Sequence, residues 1–167
     1  MIFVKHYLSP VGLLEIISTE EHLTHVLFRE TKKRPSKQLE ETEETTPIIN
    51  ECIEQFDAYF EGKLKDFDLS LLPHGTDFQK LVWENLKNIP FGKTISYLEL
   101  SRIIGNEKAI RAVGTANGNN PLTIIIPCHR VIGSDKSLVG YGGDLWRKEW
   151  LLRHEGSLPN QHQLKLF

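Results

Sequence analysis

The adjacent pair Cys128-His129 is the feature of this sequence best suited to nucleophilic chemistry. The thiolate, not the thiol, is the nucleophile, and a neighbouring imidazole lowers the pKa of a thiol. Pro127 favours an extended segment in front of the cysteine. Side chains that are neighbours on an extended segment point to opposite faces, so the pair needs a local bend or a bridging water to interact. The dipeptide alone is unspecific and does not establish a catalytic site.

A histidine that acts as a base needs an acceptor to orient its ring. Glu155, at the end of the last predicted helix, is one candidate, and Glu149 and His154 are rivals. Spacing does not choose among them. On spacing alone, the simpler interpretation of Glu155 is an exposed carboxylate at a helix end.

The other cysteine, Cys52, lies on the apolar stripe of a predicted helix, which indicates a small buried core residue. Two cysteines are too few for a disulfide scaffold and are not spaced for a zinc site. The first half of the chain also lacks a Cys/His set that could bind structural zinc. We therefore predict two free thiols and no metal.

The first half of the chain is predicted to be a small sheet followed by a helix. Alternating apolar residues predict strands over residues 2–8, 13–18 and 23–28. Residues 30–46 are polar and charged, which is typical of a solvated loop. Thr46-Pro47 then predicts a helix N-terminus, and apolar residues recur at helical spacing until Gly62.

The second half is predicted to be mainly helical. Thr76 and Ser96 each precede an amphipathic helix, and the turn Gly105-Asn106 joins the second of these to a helix over residues 107–117. Two short helices joined by a glycine turn form a helix-turn-helix pattern, which is weak by itself. The expected core residues of the three helices are Phe78, Leu81, Val82, Trp83, Leu86, Leu98, Leu100, Ile103, Ile104, Ile110, Val113 and Ala116.

Residues 122–126 are predicted to be a short buried strand that leads into the cysteine. Asp144 is predicted to cap a final helix that ends near Gly156, followed by a polar tail. The change in character near residue 73 predicts two domains, 1–73 and 74–167.

The net charge of −2 conceals an uneven distribution. Residues 1–73 carry a net charge of −6, whereas residues 74–167 carry +4. The second half is therefore the part suited to a polyanion. No apolar run is long enough to cross a bilayer, and the N-terminus does not read as a signal peptide. We expect a location in the cytoplasm or nucleoid.

Several segments together resemble the O6-alkylguanine-DNA alkyltransferase family, also called methylated-DNA–protein-cysteine methyltransferases. The resemblance runs in register over about residues 75–156, and its most specific part is Pro127-Cys128-His129-Arg130-Val131. The remaining segments are Thr76-Asp77-Phe78-Gln79, Val82-Trp83, Ile89-Pro90-Phe91-Gly92-Lys93-Thr94, Ser96-Tyr97, Arg111-Ala112-Val113-Gly114, Asn120-Pro121 and Lys148-Glu149-Trp150-Leu151-Leu152-Arg153-His154-Glu155-Gly156.

The resemblance implies an α+β fold. Its first part is a small N-terminal ribonuclease-H-like antiparallel sheet with a helix. Its second part is a mainly helical C-terminal domain with a helix-turn-helix of winged-helix-like type. The implied activity is stoichiometric, irreversible transfer of an alkyl group from O6 of guanine in double-stranded DNA, with O4 of thymine as the other candidate. No cofactor is implied, and we expect a monomer.

The resemblance also implies catalytic roles. Cys128 resembles the alkyl acceptor, His129 its base acting through a water, and Glu155 the residue that orients His129. Tyr97 would help to turn the nucleotide out and donate a hydrogen bond to the leaving guanine. Asn120 would brace the turn that positions the site.

Further residues are implied to bind guanine or DNA. Arg111 resembles the finger that fills the gap left by the flipped nucleotide in the minor groove. Tyr141 and the loop Gly142-Gly143 would wall the guanine pocket, and backbone groups of Cys128 and Val131 would read the exocyclic amine. The implied DNA-binding residues are Thr94, Ser96, Tyr97, Arg111, Ala112, Gly114 and Arg130.

Two positions depart from the family pattern. Asp144 follows Gly142-Gly143 where the family often has a further glycine, and Lys136 stands where glycine is common. Both departures bear on the width of the pocket.

Three other functions are alternatives to alkyl transfer for this sequence. A thiol hydrolase using Cys128, His129 and Glu155 would turn over, but it leaves Arg111 unexplained. Lesion-flagging relatives of the alkyltransferases lack the acceptor cysteine, which is present here. A helix-turn-helix regulator usually needs a dimer to read paired half-sites. Stoichiometric gain of the alkyl group in mass distinguishes the transferase from the hydrolase and the binder.

Overall fold

The computed structural model describes residues 1–31, 38–139, 141 and 143–158. The first half contains the three predicted strands, β1 (Phe3–Ser9), β2 (Gly12–Ser18) and β3 (Leu23–Phe28). They form an antiparallel sheet in the order β1-β2-β3. The α+β class and the small antiparallel sheet predicted from the sequence are confirmed.

Helix α1 (Pro47–Phe60) begins where the sequence predicts. The Thr46 hydroxyl accepts a hydrogen bond from the Ile49 amide at 3.3 Å, and proline at the first helical position lacks the amide that would otherwise need a partner. The same hydroxyl lies 2.9 Å from that of Ser18 in β2, which ties the cap to the sheet. Cys52 is fully buried on the inward stripe, as expected, and burial raises the pKa of its thiol.

The described part of the second half contains four further helices and two very short strands. The helices are α2 (Asp77–Leu86), α3 (Tyr97–Ile104), α4 (Ile110–Gly118) and α5 (Leu145–His154). Strands β4 (Ile95–Ser96) and β5 (Val131–Ile132) pair in parallel. Thr76 and Ser96 form capping boxes at the starts of α2 and α3. The predicted helix pair is present as α3 and α4, joined through Gly105 at φ 92° and a single 3₁₀ turn at Glu107–Ala109.

Three residues predicted to lie in the core are instead exposed. Leu81, Ile103 and Ile110 have exposed fractions of 46%, 61% and 37%. Each lies outside the narrow inward stripe of its helix, which in α2 is formed by Val82, Trp83 and Leu86. A short helix that packs on one side buries a single stripe, so an apolar residue off that stripe stays in contact with solvent.

The predicted strand over residues 122–126 is wrong. The segment makes only a short pairing with β3, in which the Val26 amide donates to Pro121 and the Thr123 amide donates to Val26. The chain then turns sharply through Ile124 at φ 72°, and the Ile126 amide donates to the Leu122 carbonyl at 2.9 Å. The segment is buried as predicted. A short apolar run does not by itself distinguish a strand from another buried conformation.

One hydrophobic cluster runs through both halves of the chain. It includes Phe56 and Tyr59 from α1, Trp83 from α2, Leu122 from the turn and Leu151 from α5. The domain boundary at residue 73 therefore crosses a shared core and stays a prediction. Within the described residues, no helix is long and apolar enough to span a membrane.

Candidate active site

Cys128 lies in a 3₁₀ turn, Cys128–Arg130, between the turn at residues 122–126 and strand β5. The Cys128 amide donates to the Ile126 carbonyl at 2.8 Å, and the Arg130 amide donates to Pro127 at 3.0 Å. The extended conformation expected around the cysteine is therefore wrong. The chain bends at Cys128 and His129 within this turn, and Cys128 is buried there.

Two asparagines hold the turn from the side of α4. Asn120 donates from Nδ2 to the Ile126 carbonyl at 2.7 Å and accepts from the Leu122 amide at 2.9 Å, so its amide spans the turn at residues 122–126. Asn117 donates from Nδ2 to the Cys128 carbonyl at 3.3 Å. The bracing role expected of Asn120 is compatible with this placement, whereas Asn117 was not identified from the sequence.

His129 and Glu155 form a buried pair. Nε2 of His129 lies 2.8 Å from Oε2 of Glu155, and both side chains are fully excluded from solvent. A carboxylate only accepts, so Nε2 carries the proton and Nδ1 is left as an acceptor. Within the described part of the chain, Nδ1 is buried and has no hydrogen-bond partner.

The two rivals of Glu155 are engaged elsewhere. His154 binds the Tyr59 carbonyl through Nε2 at 2.7 Å. Glu149 accepts from Arg153 at 2.6 Å. Glu155, which spacing alone favoured as an exposed residue, is 5% exposed. It is therefore the carboxylate that the fold brings to His129.

Glu155 also accepts hydrogen bonds from two residues other than His129. The Tyr59 hydroxyl donates at 2.6 Å, across the junction between the two halves of the chain. Arg130 donates in a two-pronged arrangement, from Nε to Oε1 at 2.8 Å and from NH2 to Oε2 at 3.1 Å. Buried charges are retained in proteins when they are paired and hydrogen-bonded, as this carboxylate is.

Arg130 was expected to contact DNA, and the structure contradicts this. Its side chain is buried, and besides Glu155 it donates from NH1 to the Ile89 carbonyl at 2.6 Å. The turn after Ile89 packs against the backbone of Glu155: Gly92 has φ 81°, and a Cβ there would lie 3.1 Å from the Glu155 main-chain carbonyl oxygen. Arg130 is thus the internal counter-charge of Glu155, and its guanidinium is not available to a phosphate.

Burial and neighbouring charges set the protonation of the pair. Burial alone would raise the pKa of Glu155, but His129 and Arg130 outweigh it and hold that pKa well below its usual range. Burial lowers the pKa of His129, although Glu155 opposes the shift. The pair is therefore a carboxylate and a neutral imidazole, which is the state of a base.

The Cys128 thiol has a raised pKa, chiefly because it is buried. Hydrogen bonds from Asn120 and Thr123 and the positive charge of Lys148 oppose this shift. Lys148 is fully excluded from solvent and donates from Nζ to the Val139 carbonyl at 2.8 Å. Burial lowers the pKa of Lys148 to about 8, so near neutral pH its ammonium is present to favour the thiolate.

We expect Lys148→Met to raise the pKa of the Cys128 thiol further, because methionine keeps the apolar stem and removes the charge. The alkylation rate at neutral pH should fall about tenfold, and its rise with pH should move to higher pH. The rate of Cys128 alkylation by iodoacetamide, followed by intact mass between pH 6 and 9, measures both effects. An unchanged pH profile would show that Lys148 only fills space.

A cavity of about 290 Å³ opens beside the thiol. Tyr141 is a buried wall, and its hydroxyl lies 2.9 Å from that of Thr123. Gly142 lies outside the described residues. The residues lining the cavity are Leu27, Phe28, Thr31, Gly118, Asn119, Asn120, Thr123, Cys128, Tyr141 and Gly143.

The helix pair places several of the expected DNA contacts on its surface. Arg111 and Ala112 are exposed on α4. Gly114 lies under the Tyr97 ring, where a Cβ would be 3.9 Å from the ring edge. Tyr97 donates to the Val139 carbonyl at 2.8 Å, and burial raises the pKa of its hydroxyl to about 12, so it stays a donor. Two further expected DNA contacts are Thr94, which is half-buried, and Ser96, which caps α3. Val131, whose backbone was expected to read the guanine amine, is buried in β5.

Sequence reasoning missed three residues that support the site: Tyr59, Asn117 and Lys148. A signal was present for Lys148, which precedes Leu151 and Leu152 by three and four residues and so shares their buried helix face. Tyr59 was identified only as part of an apolar stripe. Among the described residues, no group of three or more potential ligands could hold a metal ion.

A buried thiol beside a buried imidazole and carboxylate, set behind a helix-turn-helix with an exposed arginine, defines a DNA-modifying protein that works through a cysteine. Residues 77–157 match the 6-O-methylguanine DNA methyltransferase, DNA binding domain, and residues 2–73 match the ribonuclease-like domain of the same proteins. The chain belongs to the 6-O-methylguanine DNA methyltransferase family.

Two curated relatives illustrate the similarity in sequence. The methylated-DNA–protein-cysteine methyltransferase of Methanosarcina acetivorans is 48% identical over 152 residues, which cover 89% of this chain and 95% of the relative. The Haemophilus influenzae protein of the same name is 41% identical over 155 residues, covering 92% and 86% of the two chains.

Solved structures agree over nearly the whole chain. The O6-methylguanine methyltransferase of Mycobacterium tuberculosis superposes with a TM-score of 0.84 at 41% identity and covers 99% of both chains. The Mycobacterium tuberculosis OGT in complex with DNA superposes with a TM-score of 0.81 at 42% identity and covers 92% of both chains. The fold class predicted from the sequence is thus that of the family.

Proposed function

We propose that this protein repairs alkylated DNA by moving an alkyl group from O6 of guanine onto its own Cys128, once per molecule. The observation that carries the proposal is a buried cysteine, Cys128, that lines a cavity beside the helix pair and is followed directly by the buried His129–Glu155 pair. Family membership supports the reaction class. The assignment of the acceptor and of the supporting residues is the part that experiments must test.

The chemistry is an in-line displacement at a saturated carbon. The thiol proton leaves through a water to Nδ1 of His129, and Glu155 stabilises the imidazolium that forms. The sulfur–carbon bond forms as the carbon–O6 bond breaks, and the electron pair of the broken bond stays with the guanine. The guanine anion then takes up a proton at N1 from water, and the imidazolium of His129 returns its proton to solvent. The Tyr97 hydroxyl, which donates to the Val139 carbonyl in the free protein, would turn from that carbonyl to donate a hydrogen bond to the leaving base. The thioether product is not cleaved by water, so no turnover follows.

Access to the alkyl carbon requires that the nucleotide leave the duplex, because the carbon is hidden within the base stack. Helix α4 presents small residues, Ala112 and Gly114, which permit close approach to the minor groove. Arg111 is exposed on the same helix and would fill the gap left by the flipped nucleotide. DNA as the substrate also supports the predicted cytoplasmic, nucleoid-associated location, which is part of this proposal.

The decisive experiment mixes the protein with a duplex that carries one O6-methylguanine, followed by intact mass and a peptide map. We expect one added methyl group per protein on the peptide that contains Cys128, together with restored guanine. A folded sample that binds the duplex and gains no mass would contradict the proposal and indicate lesion recognition alone. Catalytic release of the alkyl group would indicate a hydrolase.

Arg111→Ala is expected to slow repair of O6-methylguanine in duplex DNA by about tenfold or more while leaving the reaction with the free O6-methylguanine base within about twofold. The reason is that a free base needs no flipping. Lys108→Ala, an exposed residue on the 3₁₀ turn before the same helix, is the matched control for loss of one positive charge. Equal losses on both substrates would reject the role of Arg111 as a finger.

A further inference from the structure

The wall of the Cys128 cavity is not built by the second half of the chain alone. The end of strand β3 contributes Leu27 and Phe28, and Thr31 follows them. Phe28 is buried, and its ring presses so closely on Gly143 that a Cβ built there would lie 2.6 Å from two ring carbons. An aromatic ring from the N-terminal sheet therefore closes one side of the cavity.

The Phe28 ring packs against Arg147 of α5. The guanidinium carbon of Arg147 lies 4.6 Å from the ring centroid. The same guanidinium donates to the Val11 carbonyl at 2.6 Å and to the Gly143 carbonyl at 3.1 Å. Arg147 thus joins the N-terminal sheet to the loop beside the thiol. The Phe28 ring therefore lies between the Arg147 guanidinium and the Gly143 backbone, and close packing on both sides leaves it little room to move.

Tyr141 completes the apolar wall. Its ring meets Phe28 edge to face, with centroids 6.4 Å apart and planes at 66°. The Tyr141 hydroxyl is in turn held by Thr123 at 2.9 Å. Two interlocked aromatic rings with anchored ends form a wall of fixed shape.

The geometry of the in-line displacement determines which part of the substrate faces this aromatic wall. The transferred carbon must lie on the line between the sulfur of Cys128 and the leaving oxygen, so its other substituents project sideways into the cavity. A methyl group projects only hydrogens, whereas a larger alkyl group needs apolar space beside the thiol. The cavity of about 290 Å³ lies at the lower end of the range for ligand pockets, and it must hold the base as well as the alkyl group.

We propose that Phe28 is a specificity-determining residue that sets the upper size of the alkyl group Cys128 accepts. The inference rests on the proposed function and deepens it. It gives the N-terminal sheet a part in substrate selection in addition to its structural contacts. The substrate class favoured by the wild-type wall is guanine with a small O6-alkyl group.

The test compares two duplexes that differ only in the lesion, O6-methylguanine and O6-benzylguanine. The readout is the ratio of the two rates of Cys128 alkylation, measured by intact mass. Phe28→Ala is expected to raise the benzyl-to-methyl ratio about tenfold or more, and Phe28→Leu by a smaller factor, because each removes part of the wall. Phe28→Trp is expected to lower the ratio.

The ratio separates selection from general damage to the site. Phe56→Leu is the matched control, since Phe56 is a fully buried ring in the same half of the chain that does not line the cavity. It should change stability and leave the ratio as in the wild type. Equal losses of the alkylation rate on both lesions in the Phe28 variants would overturn the inference. So would an unchanged benzyl-to-methyl ratio in Phe28→Leu and Phe28→Trp, provided that both variants melt like the wild type. Absence of any transfer by the wild-type protein would instead contradict the proposed function.

Discussion

Cys128→Ser is expected to abolish alkyl transfer and to leave duplex binding in place. A serine hydroxyl has a far higher pKa than a thiol, and the burial that already raises the pKa of Cys128 would act on it as well. The rate should fall by about a thousandfold or more. The new hydroxyl remains within reach of Asn120 and Thr123, so it need not be left without a partner. Intact mass after incubation with an O6-methylguanine duplex measures the loss, and a gel-shift titration measures binding.

The control for this variant is Cys52→Ser. Cys52 is fully buried among apolar residues of α1, so the change should lower stability and leave transfer in place. A methyl group still gained by Cys128→Ser would reject the acceptor assignment, and the peptide map would show whether Cys52 had taken it. Simultaneous loss of transfer, binding and a cooperative melting transition would indicate unfolding.

Glu155→Gln is expected to lower both stability and the rate of transfer. The Arg130 guanidinium would stay buried without its counter-charge, which typically costs about 3–5 kcal/mol in the free energy of unfolding. The imidazolium of His129 would also lose the carboxylate that stabilises it, so transfer should slow by about a hundredfold. Denaturant titration and single-turnover alkylation measure the two effects separately.

A double variant distinguishes the structural effect from the chemical one. Arg130→Met with Glu155→Gln removes both buried charges, so most of the lost stability should return while transfer stays slow. Tyr59→Phe, which removes one hydrogen bond to the same carboxylate, should cost only about 1 kcal/mol. If Glu155→Gln is as stable as the wild type, the carboxylate is not the counter-charge of Arg130.

The lowered pKa of Glu155 also predicts a pH dependence of stability. A carboxyl whose pKa is depressed by folding stabilises the protein above its unfolded value of about 4.3 and loses that contribution as pH falls towards the folded value. Wild-type stability should therefore decrease below about pH 4. Glu155→Gln should lack this part of the decrease, and equal acid sensitivity of the two proteins would contradict the assignment.

The two departures from the family pattern acquire a structural meaning. Lys136 and Asp144 both have positive φ, at 67° and 71°, where glycine is the residue that adopts such angles without strain. The strain of this backbone conformation at Asp144 is offset in part by an ion pair, since its carboxylate lies 3.3 Å from NH1 of Arg147. It is thus joined to the guanidinium that supports Phe28. The cavity beside Cys128 is lined partly by residues of the N-terminal half, Leu27, Phe28 and Thr31.

The sequence by itself determined the elements whose causes are local. Thr46, Thr76 and Ser96 cap helices through hydrogen bonds that reach only three residues, and Gly105 turns the chain by its own conformation. Periodicity gave the strands and the inward stripe of α1 for the same reason. The motif around Cys128 identified the family because its residues are contiguous.

Only the tertiary structure decided which side chains meet. Glu155 reaches His129 across 26 residues of sequence and Tyr59 across 96, and no local pattern separated it from its rivals. Arg130 was expected on the DNA surface, but its side chain is buried because it is the counter-charge of the Glu155 carboxylate. Residues 122–126 form a turn because their hydrogen bonds are set by β3 and Asn120. Local patterns fix the conformation of a segment, whereas the identity of a buried partner depends on how distant segments pack and pair their charges.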